Sequence, residues 1–144
     1  MRQYWTEEDE ARVEAATTFE ELRDVALKIV SRVPAPVGQV CGPISTGGEG
    51  SIEGNLKVFQ LTIDTLISDG LFIFDQLPFE EHIHRIIHTP YYKGGNHLLE
   101  TFYLPIFESG IVRTLYFMAD WKTSLGATWE HEQAKRLKIK IYYL

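Results

Sequence analysis

The chain has 144 residues, 44% of them apolar and 24% charged, with a net charge of −6, values that suit one globular domain with one core. The acidic balance argues against a nucleic-acid polymer as partner, because a phosphate backbone selects a basic face. Cys41 is the only cysteine, so an internal disulfide or cysteine-based zinc site is excluded; no apolar run nears the roughly 20 residues of a membrane span, and the acidic start from Arg2 to Asp9 is unlike a signal peptide, so the expectation is a soluble, cytoplasmic domain with no membrane partner.

Thr6 with Asp9 predicts a short first helix, and Thr18 with Glu21, a capping-box pattern, a longer second one. Leu22, Val25, Ala26, Ile29, Val30 and Val33 put one apolar face on that helix, and Pro34 and Pro36 stop it. Residues 1–36 thus read as a helical arm, packed on a sheet or on a partner subunit. From Val37 the pattern alternates. Val37–Cys41 reads as a strand, followed by a loop at 42–51 rich in Gly, Ser and Thr. A helix from about Asn55 to Gly70 comes next, then a buried strand at Leu71–Phe74. A weaker helix carries Phe79, Ile83, Ile86 and Ile87, and another spans about His97 to Glu108, stopped by Gly110. Ile111–Met118 is the third strand, Ser124–Leu137 a helix and Ile139–Tyr143 the last strand. This order predicts an α/β fold: a Rossmann-like parallel sheet of four to five strands in flavodoxin-like order, flanked by helices. Ligands of such sheets bind at the carboxyl ends of the strands, here between the loops at 42–51 and 119–126.

Chemistry concentrates in Ser124-Leu125-Gly126-Ala127-Thr128-Trp129-Glu130. Ser124 at a helix start can turn its hydroxyl and nearby N–H groups toward an anion. Gly126, Glu130 and Ala134 share one helix face, so small residues flank the carboxylate and leave room for a ligand. A carboxylate placed there can attack a sugar carbon and form a glycosyl intermediate. Spacing alone favours a plain cap and a solvated helix residue, since a Ser and a Glu six apart are common. His82, His84 and His88 lack a metal-site pattern and read as surface histidines of a short helix, so no metal is expected.

The segment Ser124-Leu125-Gly126-x-x-Trp129-Glu130 resembles the nucleophile segment of the nucleoside 2-deoxyribosyltransferase superfamily, which includes N-glycosidases of nucleoside 5′-monophosphates. Val40-Cys41-Gly42-Pro43-Ile44, followed by Gly47-Gly48, is similar to the glycine loop after the first strand of that superfamily. The likeness spans about residues 37–144. It implies that Glu130 attacks C1′ of a nucleoside or nucleotide, with Asp120 orienting the sugar or the water. It further implies that Ser124 and the Gly47–Gly48 backbone, with Gly42, Ser45 and Gly126 around them, hold a phosphate or a sugar hydroxyl. Trp121 and Tyr91 would cover the base. Asp120, Asp75 and Glu49 are the candidates for a second carboxylate. No cofactor is implied. The superfamily likeness and the aromatic run Phe102, Tyr103, Ile106 and Phe107, read as an exposed patch, imply a homodimer or larger assembly. The alternative is a non-catalytic nucleotide-sensing or interaction domain of the same fold.

Overall fold

A computed structural model describes residues 2–144. Thr6 opens α1 (Glu7–Ala15) with a reciprocal box: its Oγ1 accepts from the Asp9 N–H at 3.1 Å and its own N–H donates to Asp9 Oδ2 at 2.9 Å. Thr18 caps α2 (Phe19–Arg32) through the Glu21 N–H, while the Glu21 carboxylate accepts from the Thr17 N–H and the Thr18 hydroxyl. The apolar face of α2 lies in one core with Phe79, Phe102, Ile106 and Leu115.

The strands β1 (Val37–Cys41), β2 (Phe72–Ile73), β3 (Val112–Phe117) and β4 (Lys140–Tyr143) form one parallel sheet in the order β2-β1-β3-β4. Six α-helices flank it, and the fold is Rossmann-like. Alternation in β1 sends Val37 and Cys41 to the face covered by α2. It sends Val40 to the other face, under Phe59, Ile63 and Leu66 of α3 (Ile52–Ser68). No helix among the described residues is long and apolar enough to cross a membrane.

Four local expectations need correction. The α3 helix begins at Ile52 rather than near Asn55, because Ser51 Oγ caps it by accepting from the Gly54 N–H at 3.1 Å. The 71–74 segment is a two-residue edge strand, not a strand buried on both sides: Leu71 and Phe72 are exposed and only Ile73 and Phe74 are buried. The aromatic run at 102–107 is no exposed patch, since Phe102, Tyr103, Ile106 and Phe107 all sit in the core of the single chain. The helix predicted at 97–108 contains a π turn, Leu99–Tyr103, leading into α5 (Leu104–Glu108). Pro105 accounts for that turn. Its ring would strike the carbonyl four residues back in a regular helix, and the wider turn, with the Leu104 N–H donating to Leu99 O, moves that carbonyl aside.

Candidate functional site

The helix α6 (Leu125–Leu137) starts where predicted. Ser124 is buried, and its Oγ accepts from the Ala127 N–H at 3.1 Å. Among the described residues nothing accepts the Ser124 Oγ proton or the Gly126 N–H. The Leu125 N–H is taken by Thr46 Oγ1 at 3.0 Å, and the Gly48 N–H donates to Thr123 Oγ1 at 2.8 Å. These two bonds lock the loop at 42–51 onto the short 3₁₀ turn Trp121–Thr123 and the first residue of α6.

One turn further on, Glu130 is only 7% exposed and faces a cavity of about 80 Å³ at the carboxyl ends of β1, β2 and β3. Gly42, Ser45, Ser124 and Gly126 line it with Glu130, as the sequence placed them. A Cβ on Gly126 would meet nothing nearer than 3.9 Å, so this glycine leaves space in the cavity and relieves no clash. The other expected residues lie elsewhere. Gly47 and Gly48 do not line the cavity, and the Gly48 and Glu49 N–H groups are bonded to Thr123 and Asn55. Asp120 also lies outside it, its carbonyl accepting from Thr123. Trp121 stacks on His131 at 4.2 Å, and His131 Nε2 meets the Tyr143 hydroxyl at 2.6 Å. Tyr91 packs on Phe19, donates its hydroxyl to Glu20 and accepts from the Phe19 N–H, so it belongs to the start of α2.

Sequence reading missed Glu80 and Gln76 and placed Tyr103 on an exposed patch; all three line the cavity. Glu80 is the first residue of α4 (Glu80–Ile87), just beyond β2. Of the three carboxylates proposed to accompany Glu130, none faces the cavity; Asp75 lines a separate cavity of about 390 Å³ with Arg2 and Trp5. The signal for Glu80 was its spacing of three and seven from Ile83 and Ile87, which puts a carboxyl beside an apolar stripe. Tyr103 donates to Glu80 Oε1 at 3.3 Å. Gln76 donates through Nε2 to Val40 O at 2.8 Å, and its buried Oε1 has no partner.

Burial is the main force on both acids. It pushes the Glu130 carboxyl up to about 8, with the charge of Glu80 adding to the rise and the Cys41 thiol opposing it. It lifts Glu80 to about 7 against the Tyr103 hydroxyl, which favours the charged form. Part of the Glu80 side chain reaches the surface, while its carboxyl is crowded by protein atoms. The cavity opens on an apolar groove of about 460 Å³, lined by Leu56, Ile83, Ile87 and Tyr92 and sharing Ile44, Ser45, Glu80 and Leu98 with it.

For a metal, the nearest arrangement is Glu14, Glu81 and His82. Arg85 donates to His82 Nδ1 at 3.1 Å, so a neutral ring carries its proton on Nε2, toward Glu81 at 3.4 Å. No ring lone pair is left for an ion.

No protein-family model, curated protein or solved structure matches this chain.

Proposed function

We propose that this protein cleaves, or transfers at, the N-glycosidic bond of a nucleoside or nucleoside 5′-monophosphate, with Glu130 as nucleophile. One observation carries the reading: a buried carboxyl at a small cavity that also holds the Ser124 hydroxyl and shares Ile44, Ser45, Glu80 and Leu98 with a larger apolar groove. The groove suits a base, and the cavity takes only the part of a sugar nearest Glu130, so the glycosidic bond would lie where the two meet. An oxygen of Glu130 forms a bond to C1′ as the bond to the base breaks, and the ester is then released to water or to an acceptor base. Ser124 Oγ and the Gly126 N–H are the donors left to hold a sugar hydroxyl. The resemblance of the Ser124-to-Glu130 segment to deoxyribosyltransferase nucleophile segments supports the same assignment.

A panel of nucleosides and 5′-monophosphates, with free base followed by chromatography, tests it. Base release that disappears in Glu130→Gln is the expected result; no release from any member removes the reading. A non-catalytic binding domain is the second reading, favoured by the neutral form that burial gives Glu130 near pH 7. It predicts binding of the same panel without turnover.

A further inference from the structure

We infer that His84 and His88 form a chelating site for one divalent transition-metal ion at the rim of the apolar groove. The two residues stand four apart, the spacing that sets side chains one above the other on a helix. His84 belongs to α4, and His88 is its cap. Their ring centroids lie 4.6 Å apart, with the planes tilted by 58°. Two imidazoles that share one ion through nitrogens at about 2.0–2.1 Å, at an angle of roughly 90–110°, have centroids about 4.5–5.2 Å apart. The backbone therefore already holds the two rings at chelating separation.

One ring is also oriented. His88 Nδ1 lies 2.7 Å from the His84 carbonyl oxygen. A carbonyl only accepts, so Nδ1 carries the proton and the lone pair of the neutral ring is on Nε2. A carbonyl on the far nitrogen is the contact that fixes the tautomer of a metal-bound histidine and strengthens it as a ligand. Both residues are exposed, and among the described residues neither ring nitrogen of His84 has a hydrogen-bond partner. The other histidines are each engaged singly. His82 Nδ1 accepts from Arg85 at 3.1 Å, His97 Nδ1 accepts from the Lys93 N–H at 3.1 Å, and His131 Nε2 meets the Tyr143 hydroxyl at 2.6 Å.

The surroundings favour a cation. Arg85, the arginine of α4, is committed to α1 and the turn after it, donating to Val13 O at 3.1 Å and Ala16 O at 2.7 Å. Glu81 lines the groove with His84 and adds negative charge nearby. Imidazole nitrogens suit Zn²⁺, Ni²⁺ and Cu²⁺, whereas Mg²⁺ and Ca²⁺ take oxygen ligands. Water fills the positions that the two rings leave open. His84 lines the groove, so those positions lie beside it. The site uses no residue of the α6 cavity and is independent of the glycosidic reading.

Calorimetric titration of the full chain with zinc chloride and nickel chloride, with magnesium chloride as the control, tests the site. One Zn²⁺ or Ni²⁺ per chain and no Mg²⁺ is the expected result. His84→Gln and His88→Gln change exposed side chains and leave the core untouched. Each is expected to weaken Zn²⁺ binding by about tenfold or more. The double variant is expected to lose little beyond either single one, because a chelate is lost with its first ligand. Proton NMR with added Ni²⁺ is expected to broaden the ring signals of His84 and His88 together, ahead of those of His82, His97 and His131. Four results overturn the proposal: no Zn²⁺ binding by the native chain, Zn²⁺ affinity unchanged in either single variant, losses that add in the double variant as for two separate sites, or one ion per two chains.

Discussion

The Tyr103 hydroxyl donates to Glu80 Oε1 across 3.3 Å, tying the π turn to the first residue of α4. This bond favours the charged form of Glu80, and burial opposes it. Tyr103→Phe removes the donor and leaves the ring in place. The Glu80 midpoint is then expected to rise by about one pH unit, the value of a long hydrogen bond to a charged group. Carboxyl NMR reads the shift directly. A midpoint that stays or falls means that Tyr103 does not hold this carboxylate.

Stability should fall as the solution becomes basic. Burial raises Glu130 to about 8 from an ordinary value of 4.5, so between these limits the folded chain binds more protons than the unfolded one. The stabilisation is complete below about pH 4.5 and is lost as pH rises through about 8. Each such group can contribute about 1.4 kcal/mol per pH unit across that window. Urea midpoints are therefore expected to drop from about pH 5 to about pH 8. Glu130→Gln, which has no charge to bury, is expected to flatten the curve and to exceed the native chain in stability near pH 8. An equal slope in both proteins would show that Glu130 is not the source.

The sheet was legible because its signals are local: apolar runs at Val37–Cys41 and Ile111–Met118, with capped helices between them. Ser124 and Glu130 were legible for the same reason, since helix geometry fixes their relation from spacing alone. Glu80 and Gln76 were not, because only the packing of α4 and the parallel pairing of β2 with β1 bring them to the α6 cavity. Tyr103 was misplaced because an aromatic side chain gives no sign in sequence of whether it faces a partner or the chain's own core. Trp121 and Tyr91 found partners in His131 and Glu20, contacts that no spacing rule encodes.

The helical arm has its own polar anchor. Asp9 is buried, accepts from the Thr6 N–H and pairs with Arg32 at 2.5 Å, linking the start of α1 to the end of α2. Burial opposes its charge, but the Arg32 and Thr6 bonds prevail and its pKa lies below the usual value. That stabilisation is present above about pH 4 and is lost as pH falls below it. Asp9→Ala is expected to cost about 2 kcal/mol, from the lost cap and the unpaired Arg32. Chemical denaturation near neutral pH checks the value, and a change below about 0.5 kcal/mol would show the pair to be inert.

The two loops that frame the site are locked by Thr123, whose Oγ1 accepts from Gly48 while its hydroxyl proton goes to Asp120 O at 2.7 Å. Thr123→Val keeps the shape and removes both bonds. The Gly48 amide is expected to exchange with solvent about tenfold faster or more, for roughly 1.4 kcal/mol of lost local stability. Exchange at the native rate would mean that the loop is held by packing alone.

The electrostatics of the cavity decide between nucleoside and 5′-monophosphate. No Arg or Lys lines the cavity or the groove. Lys122 lies over the Trp121 ring at 5.7 Å, and Lys93 lines a separate hollow with Glu20 and His97. The neutral donors left for an anion are the Ser124 hydroxyl and the Gly126 N–H, each worth about 1.5–3 kcal/mol net to a charged acceptor. Against them, a charge about 5 Å from an ionised carboxylate is repelled by roughly 3 kcal/mol at an effective dielectric near 20. Glu80 lines the cavity and is lifted to about 7, so this repulsion sets in as pH rises through that value. The affinity of a 5′-monophosphate relative to its nucleoside is therefore expected to fall by about tenfold or more from about pH 6 to about pH 8. Calorimetric titration of Glu130→Gln with paired nucleosides and monophosphates measures the change without turnover. A ratio that stays constant or rises with pH would mean that the phosphate end is held away from Glu80.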